Sequence, residues 1–472
     1  MTNLWMLALA ISLGLLAVAL VVSSLLWRRR WVWLRRIVSV VLLVSSVVVG
    51  LVAWNVNAPP SFINRPAPLA ASALVFAATS DTTITAFQAA TGKTAWSYTQ
   101  PGVVISDIRQ YQQLLVVVSD VTTNIYTALP KGTLLTGLDA TSGHVRWQSN
   151  MRDFSLFQAM NGLGVSVYQG LLYLAGEAIV NGAPTSPALL LAVDMTTGHM
   201  LWQETDRAPF DGTDDWMPKL ASDTNALYVD VAYSIQAFGA HDGVSRWVWS
   251  STGSEIVGVF ADGGLVFGVT RSQQTFALDA ATGALAWKRT LGSLNFAPTR
   301  VVVQGATVFI SATDNGRLSV YALVATTGAQ LWRRDMGVSG SSDSIGNIYS
   351  GMGQYLVSAP SAIIVNAGDG LHALKNTTGA DVWRLAPTPT LFFEGETGGG
   401  EWTHPAHARI APTALGDVLY LQAIEGIPPA GFFGSGRAHD RVYLYAVSAL
   451  TGQPYWRVQR AADFPVYPHF VL

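Results

Sequence analysis

The side chains best suited to binding a metal lie near the C-terminus, in the stretch Glu401-Trp402-Thr403-His404-Pro405-Ala406-His407. Glu401, His404 and His407 offer two imidazoles and a carboxylate, a donor set that holds divalent metal ions. The same composition is typical of a polar surface loop that binds nothing. The sequence therefore supports two interpretations of these three residues, a metal site and an ordinary loop.

Other chemistry is sparse in the sequence. Asp211, Asp214 and Asp215 could offer oxygen ligands to calcium, but they lack the twelve-residue spacing of a calcium-binding loop. The chain has no cysteine, which excludes disulfides, thiolate metal sites and cysteine nucleophiles. Neither a Gly-x-Ser-x-Gly nor a His-Glu-x-x-His motif occurs. No catalytic residue is predicted, and no cofactor is required by any motif.

Aromatic residues are concentrated in the same region as the histidines. They are Phe392, Phe393, Trp402, Phe432 and Phe433. Aromatic side chains in long polar loops commonly anchor protein partners, so these five predict an interaction surface. The alternative is a plug, in which the aromatics fold over the mouth of the domain.

The elements that position these loops come from an eleven-residue phrase that occurs eight times. Its clearest copy, Ala277 to Trp287, opens on a small residue, has Thr-Gly at positions six and seven, and ends in Trp. The glycines are Gly92, Gly143, Gly198, Gly243, Gly283, Gly328, Gly379 and Gly452. The tryptophans are Trp96, Trp147, Trp202, Trp247, Trp287, Trp332, Trp383 and Trp456. Their spacings of 51, 55, 45, 40, 45, 51 and 73 residues indicate a repeat array.

Each phrase predicts a β-hairpin, with Thr-Gly in the turn because glycine adopts positive φ readily. Apolar alternating stretches before each phrase supply two more strands, so each repeat holds about four. Four-stranded units repeated radially form a β-propeller. Strand alternation then places all Thr-Gly turns on one face. The long insertions share the opposite face: residues 122–132, 181–187, 206–215, 337–353, 390–408 and 425–440.

The phrase resembles the repeat of the pyrroloquinoline-quinone (PQQ)-like propellers, over residues 62–472. The resemblance implies an all-β, eight-bladed β-propeller of the quinoprotein type, in which each Trp docks on small residues of a neighbouring repeat. Family members include non-catalytic scaffolds of the bacterial envelope and PQQ-dependent dehydrogenases that hold PQQ over calcium. We expect a scaffold that binds proteins or a ligand and needs no cofactor. The alternative is a dehydrogenase oxidising an alcohol or sugar with PQQ and calcium.

The N-terminal 56 residues form a separate region of distinct composition. Residues 4–27 and 37–54 are apolar and long enough to span a bilayer, which predicts two transmembrane α-helices. The basic loop 28–36 between them is expected in the cytoplasm, so that everything after residue 54 lies outside it. The rival interpretation is a signal peptide formed by the second stretch and cleaved near Ala58. Residues 57–70 are predicted to be a linker and residues 71–472 the propeller.

Charge and the chain's end complete these expectations. The first 56 residues hold five arginines and no acid, which leaves 23 basic and 30 acidic residues in the remainder, a net charge of −7. An acidic body argues against nucleic acid as a partner, and envelope proteins are expected instead. The C-terminal residues are predicted to return to blade one and close the ring. The alternative is that residues 63–70 supply that strand.

Overall fold

We describe the fold from a computed structural model of the chain. The described residues run from 65 to 471 with gaps at 81, 122–130, 156–163, 181–182, 206–218, 232, 273, 292–299, 315–316, 339–355, 368–369, 386–390, 394–412, 426–440 and 460–469. The chain divides into two units, residues 1–62 with 388–391 and residues 63–387 with 392–472. Leu391 apart, the described residues all belong to the second unit.

The described part of the second unit forms eight antiparallel sheets, the blades of a β-propeller. Blade one contains β1 (Leu74–Ser80), β2 (Thr83–Gln88) and β3 (Thr94–Thr99). Blade two contains β4 (Val104–Tyr111), β5 (Leu114–Asp120), β6 (Thr133–Asp139) and β7 (Val145–Met151). Blade three contains β8 (Phe154–Ser155), β9 (Val165–Tyr168), β10 (Leu171–Val180), β11 (Ala183–Asp194) and β12 (Met200–Thr205). Blade four contains β13 (Leu220–Ser222), β14 (Ala226–Val231), β15 (Ser234–Gly239) and β16 (Ser245–Ser250).

The remaining four blades follow in chain order. Blade five contains β17 (Ile256–Asp262), β18 (Leu265–Thr270), β19 (Gln274–Asp279) and β20 (Leu285–Thr290). Blade six contains β21 (Arg300–Gln304), β22 (Thr307–Asp314), β23 (Arg317–Val324) and β24 (Gln330–Val338). Blade seven contains β25 (Leu356–Ser358), β26 (Ala362–Ala367), β27 (Gly370–Lys375) and β28 (Asp381–Leu385). Blade eight contains β29 (Leu391–Phe393), β30 (Thr413–Leu415), β31 (Val418–Glu425), β32 (Arg441–Ser448) and β33 (Pro454–Gln459), and the last strand is β34 (Phe470–Val471).

The predicted all-β, eight-bladed propeller is therefore confirmed. Blades three and eight depart from four strands, because the first position holds two short strands that both pair with the second strand. β34 pairs with β1, with Val471 opposite Phe76 and Phe470 opposite Ala77. The C-terminal end thus supplies the first strand of blade one, as the sequence predicts. The N-terminal alternative is wrong, since the amide of Arg65 instead bonds to the carbonyl of Tyr455, and that of Ala67 to Ala90.

Four of the predicted insertion loops are partly strand. Residues 337–338 belong to β24, β29 lies within 390–408, and Glu425 ends β31. Residues 183–187, predicted as part of an insertion loop, extend β11, because Ala178 to Val180 pair with Ala183 to Thr185 beyond a bulge. The insertion therefore lengthens the hairpin. The Asn181-Gly182 pair between the two strands is the local sequence signal for a hairpin of this kind.

Burial follows the position of a strand in its blade. Second and third strands are almost wholly buried, as in β5, where all seven residues are buried. Fourth strands alternate between exposed and half-buried residues, as in β3 and β16. The core is consequently a series of apolar layers between adjacent blades, and the ring is held by contacts from one blade to the next.

The membrane prediction concerns a different part of the chain. Among the described residues, no helix is long and apolar enough to cross a membrane. The predicted spans 4–27 and 37–54 lie outside those residues, as does most of the predicted linker.

Candidate interaction face

The repeated tryptophans and glycines form one contact, which recurs at every seam between neighbouring blades. Each indole N–H donates to the carbonyl of the fourth phrase residue in the next blade, at 2.7 to 3.0 Å. Each indole also lies on the Thr-Gly glycine of that next blade, where an added Cβ would come within 2.8 Å of the ring. The glycines have φ between 66° and 74°. Glycine is therefore required twice, for the turn and for the close approach of the indole.

A second aromatic layer supports these tryptophans in six blades. An aromatic residue of the second strand packs on the blade's own Trp, with centroids 5.7 to 6.2 Å apart; these residues are Phe76, Tyr173, Tyr228, Phe267, Phe309 and Tyr420. Where this residue is tyrosine, its hydroxyl donates to the same carbonyl as the indole, as Tyr420 and Trp456 both do to Ala89. The repeated Gly and Trp residues of the sequence are therefore those that form the contacts between neighbouring blades.

We call the surface carrying the eight phrase turns the Thr-Gly face, since six of them are Thr-Gly and the other two are Ser142-Gly143 and Asp242-Gly243. Three of these turns are capped by the aspartate at the third position of the phrase: the Asp139 carboxylate accepts bonds from the Thr141 and Ser142 amides and pairs with Arg146. The hydroxyl of Thr141 and the Arg146 guanidinium hold the pKa of Asp139 well below its usual range. Asp194 and Asp279 cap their turns in the same way. These aspartates therefore stabilise the turns of the repeated phrase, and His144, His199 and His241 are exposed beside them.

The opposite surface, which we call the loop-rich face, carries the links between blades and the turns between second and third strands. Among its described residues, Tyr233 in the β14–β15 turn is 55% exposed. Near the loop-rich ends of the second strands lie buried acidic groups that the sequence analysis did not single out. Asp120 is 5% exposed and accepts a bond from the Ser106 hydroxyl at 2.7 Å. Asp230 occupies a comparable end of β14 and is also 5% exposed.

An ion pair also lies in the innermost strand of blade two. Asp107 is 1% exposed and pairs with Arg109 at 2.8 Å, and the same guanidinium donates to the carbonyl of Val165 in blade three at 3.4 Å. A signal for these acids exists in the sequence, since single aspartates interrupt otherwise apolar strands such as Ala226-Leu227-Tyr228-Val229-Asp230-Val231. Burying a carboxylate is unfavourable unless it is paired or protonated. Each of these aspartates therefore needs specific neighbouring groups or a bound proton.

The sequence-predicted site residues fall largely beyond the described part of the chain. Glu401, His404, His407, Trp402, Phe432 and Phe433 lie outside the described residues, as do Asp211, Asp214 and Asp215. Phe392 and Phe393 belong to β29 in blade eight, and their side chains are outside the description. Within the described ranges, no three His, Asp or Glu side chains come together in a group that could hold a metal ion. The metal site and the aromatic surface remain predictions.

Comparison with known protein families gives a match over most of the chain. The family model described as "Outer membrane protein assembly factor BamB" matches residues 44–155, 131–259, 232–388 and 316–467. No curated protein has a significant match to the sequence.

Similar solved structures include a BamB protein and two dehydrogenases. BamB from Moraxella catarrhalis is 18% identical with a TM-score of 0.47, over 84% of this chain and 98% of that one. The dihydro-heme d1 dehydrogenase NirN is 10% identical with a TM-score of 0.51, over 86% and 77%. The quinohemoprotein alcohol dehydrogenase from Comamonas testosteroni is 11% identical with a TM-score of 0.46, over 81% and 74%. At these identities the likeness concerns the fold alone.

Proposed function

The chain belongs to the PQQ-repeat family described as outer membrane protein assembly factor BamB, and from this membership we propose that it is a non-catalytic scaffold that binds other proteins in the cell envelope. The observation that carries the proposal is the extent of the family match, whose four overlapping ranges together run from residue 44 to residue 467. The family description names the assembly of outer membrane proteins, a process that requires one protein to bind another. The partners of this chain are accordingly expected among envelope proteins.

The two faces of the ring carry different kinds of segment, and this difference supports a scaffold. The repeated Trp, Gly and Asp residues serve the seams and turns of the ring, and they leave the Thr-Gly face with short, capped turns. The loop-rich face receives segments that differ from blade to blade, from the short β14–β15 turn to the long 426–440 insertion. Long connections without secondary structure of their own are commonly functional. We therefore assign partner binding to the loop-rich face.

The location belongs to the same proposal. The two apolar stretches, 4–27 and 37–54, would anchor the chain in the cell membrane, with loop 28–36 in the cytoplasm and the propeller on the extracytoplasmic side. The aromatic residues of the blade-eight insertions would meet partners there: Phe392, Phe393, Trp402, Phe432 and Phe433.

A loop replacement tests the proposal. Residues 394–407 are exchanged for a short Gly-Ser link in the full-length chain, which leaves strand β29 (Leu391–Phe393) and strand β30 in place. We expect an unchanged far-UV circular dichroism spectrum and the loss of co-purifying envelope proteins. A lowered melting temperature with an unchanged set of partners would identify the segment as a plug and contradict the assignment.

Catalysis is tested separately with the same preparation. We expect no dye-linked oxidation of alcohols or sugars when the purified chain is supplied with PQQ and calcium. Turnover that requires both PQQ and calcium would contradict the scaffold proposal and support a PQQ-dependent dehydrogenase instead.

A further inference from the structure

The seam between blades four and five contains a buried carboxyl group with an unsatisfied oxygen. Asp230 lies near the end of β14, and its Oδ1 accepts a bond from the amide of Lys219, just before β13. Its Oδ2 is buried and has no hydrogen-bond partner. An ionised carboxylate loses its hydration when it is buried, and each of its two oxygens must accept a hydrogen bond to offset that loss. In Asp230 only Oδ1 accepts such a bond, so the loss of hydration at Oδ2 is not offset.

The neighbours of Asp230 increase the cost of its charge. Across the seam lies Glu255, which precedes β17 and is paired with Arg271 at 2.8 Å. Among the described residues, the charged groups that act on Asp230 are Lys219 from its own blade and Glu255 from blade five, which is paired with Arg271. Lys219 favours the ionised form of Asp230, and Glu255 opposes it.

Burial dominates this balance. It raises the pKa of Asp230 to about 7, against the lowering effects of the Lys219 charge and amide. An aspartate in an unfolded chain titrates near pH 3.9. Over the interval between these values, the closed seam therefore holds a proton that an opened seam releases.

We propose that Asp230 is a proton-dependent latch of the seam between blades four and five, closed while its carboxyl group carries a proton and loosened when that proton leaves. Tyr228, two residues earlier on the same side of β14, donates its hydroxyl to the Asp223 carboxylate at 2.7 Å, and the same hydroxyl lies 3.2 Å from the carbonyl of Ala280 in blade five. Asp230 and this contact between the two blades therefore lie on the same side of one strand. The latch lies at the loop-rich end of the seam, near the turn that holds Tyr233. It does not depend on the proposed function.

The direction of the pH effect follows from linkage. Since the closed seam binds more protons than the open one between about pH 4 and pH 7, the stability of the seam falls as pH rises through this interval and is constant above it. For one proton, the opening equilibrium increases about tenfold per pH unit below pH 7, and about tenfold in total between pH 6 and pH 8.

Amide hydrogen exchange measured by mass spectrometry tests the latch on the full-length chain in detergent. After correction for the intrinsic rate, peptides covering 219–231 and 255–262 should lose about tenfold protection between pH 6 and pH 8. In Asp230→Asn, which keeps the size and the Oδ1 acceptor but cannot ionise, this loss should disappear. Blade-one peptides covering 74–88 should not change in either protein. Equal loss of protection in the parent and in Asp230→Asn would overturn the proposal.

Two further variants guard against a folding defect in Asp230→Asn. Glu255→Gln removes the opposing charge and lowers the pKa of Asp230, so the pH above which protection stops falling should move down in an otherwise parental chain. Asp262→Asn, at the exposed end of β17 in blade five, should behave as the parent. An unchanged levelling-off pH in Glu255→Gln, or the same shift in Asp262→Asn, would also contradict the latch.

Discussion

The indole N–H of Trp456 donates a 3.0 Å hydrogen bond to the carbonyl oxygen of Ala89, 367 residues earlier in the chain. This bond joins the last blade to the first and is the same contact that the other seven tryptophans make with their next blade. Trp456 is 1% exposed and packs with Ala67, which enters the core from the N-terminal side. The closing seam is therefore built from the ordinary contact between blades, with the segment around Ala67 and strand β34 added to it.

The close approach of Trp247 to Gly283 gives a prediction with an internal control. Gly283 and Gly263 both lie in blade five and both have positive φ, 71° and 58°. A Cβ at Gly283 would come within 2.7 Å of the Trp247 ring, whereas one at Gly263 would meet nothing within 4 Å. Gly263→Ala should cost about 1–2 kcal/mol of backbone strain. Gly283→Ala should cost more, because the indole must also move, and chemical denaturation measures both.

Equal destabilisation in the two variants would mean that the Trp-Gly contact contributes nothing beyond the turn. A larger loss in Gly263→Ala would contradict the packing described for the seams.

Asp139 predicts a pH dependence of the opposite sign to that of Asp230. Its pKa is lowered in the folded protein by the hydroxyl of Thr141 and by Arg146. A carboxyl group of this kind stabilises the fold above its unfolded pKa near 4, and the contribution is lost as pH falls further. The melting temperature of Asp139→Asn should thus lie below that of the parent at pH 7, and the two should converge towards pH 2.5. A difference that stays constant over this range would show that the carboxylate charge is not involved.

The predicted membrane topology can be tested cleanly because the chain has no cysteine. Single cysteines at Thr2, Val32 and Ser61 would be treated with an impermeant maleimide on intact cells or spheroplasts. Labelling is expected at Thr2 and Ser61 and is expected to be absent at Val32 until the membrane is permeabilised. Labelling at Val32 with protection of Ser61 would invert the topology.

The sequence was sufficient for the ring but not for its second aromatic layer. Gly and Trp recur at a fixed separation inside one hairpin, so their pattern is visible without a structure. Phe76 lies 20 residues before Trp96, whereas Tyr420 lies 36 residues before Trp456, because loops of different length separate the strands. Because the number of residues between the two aromatics differs from blade to blade, the contact leaves no periodic signal in the sequence. The pairing of the strands is needed to identify these aromatic residues.

The sequence marks Asp230 as a single aspartate in an apolar strand, but it does not show which groups surround it. Asp230 is unusual because of what faces it from blade five, and that neighbour is set by the packing of two blades. For the candidate site, the sequence identifies which face carries the insertions and names Glu401, His404, His407 and five aromatics. These residues remain predictions, since the contacts that would define their chemistry lie outside the described part of the chain.

Blade four offers a matched pair of positions to test whether partners bind the loop-rich face. Tyr233 lies on the loop-rich face and Val244 beside a Thr-Gly turn, with exposed fractions of 55% and 52%. A photo-cross-linking amino acid would be placed at each position in the full-length chain, irradiated in intact cells, and its adducts identified by mass spectrometry. We expect discrete adducts with envelope proteins from position 233 and none from position 244. Adducts from position 244 alone, or the same adducts from both, would contradict the assignment of the loop-rich face.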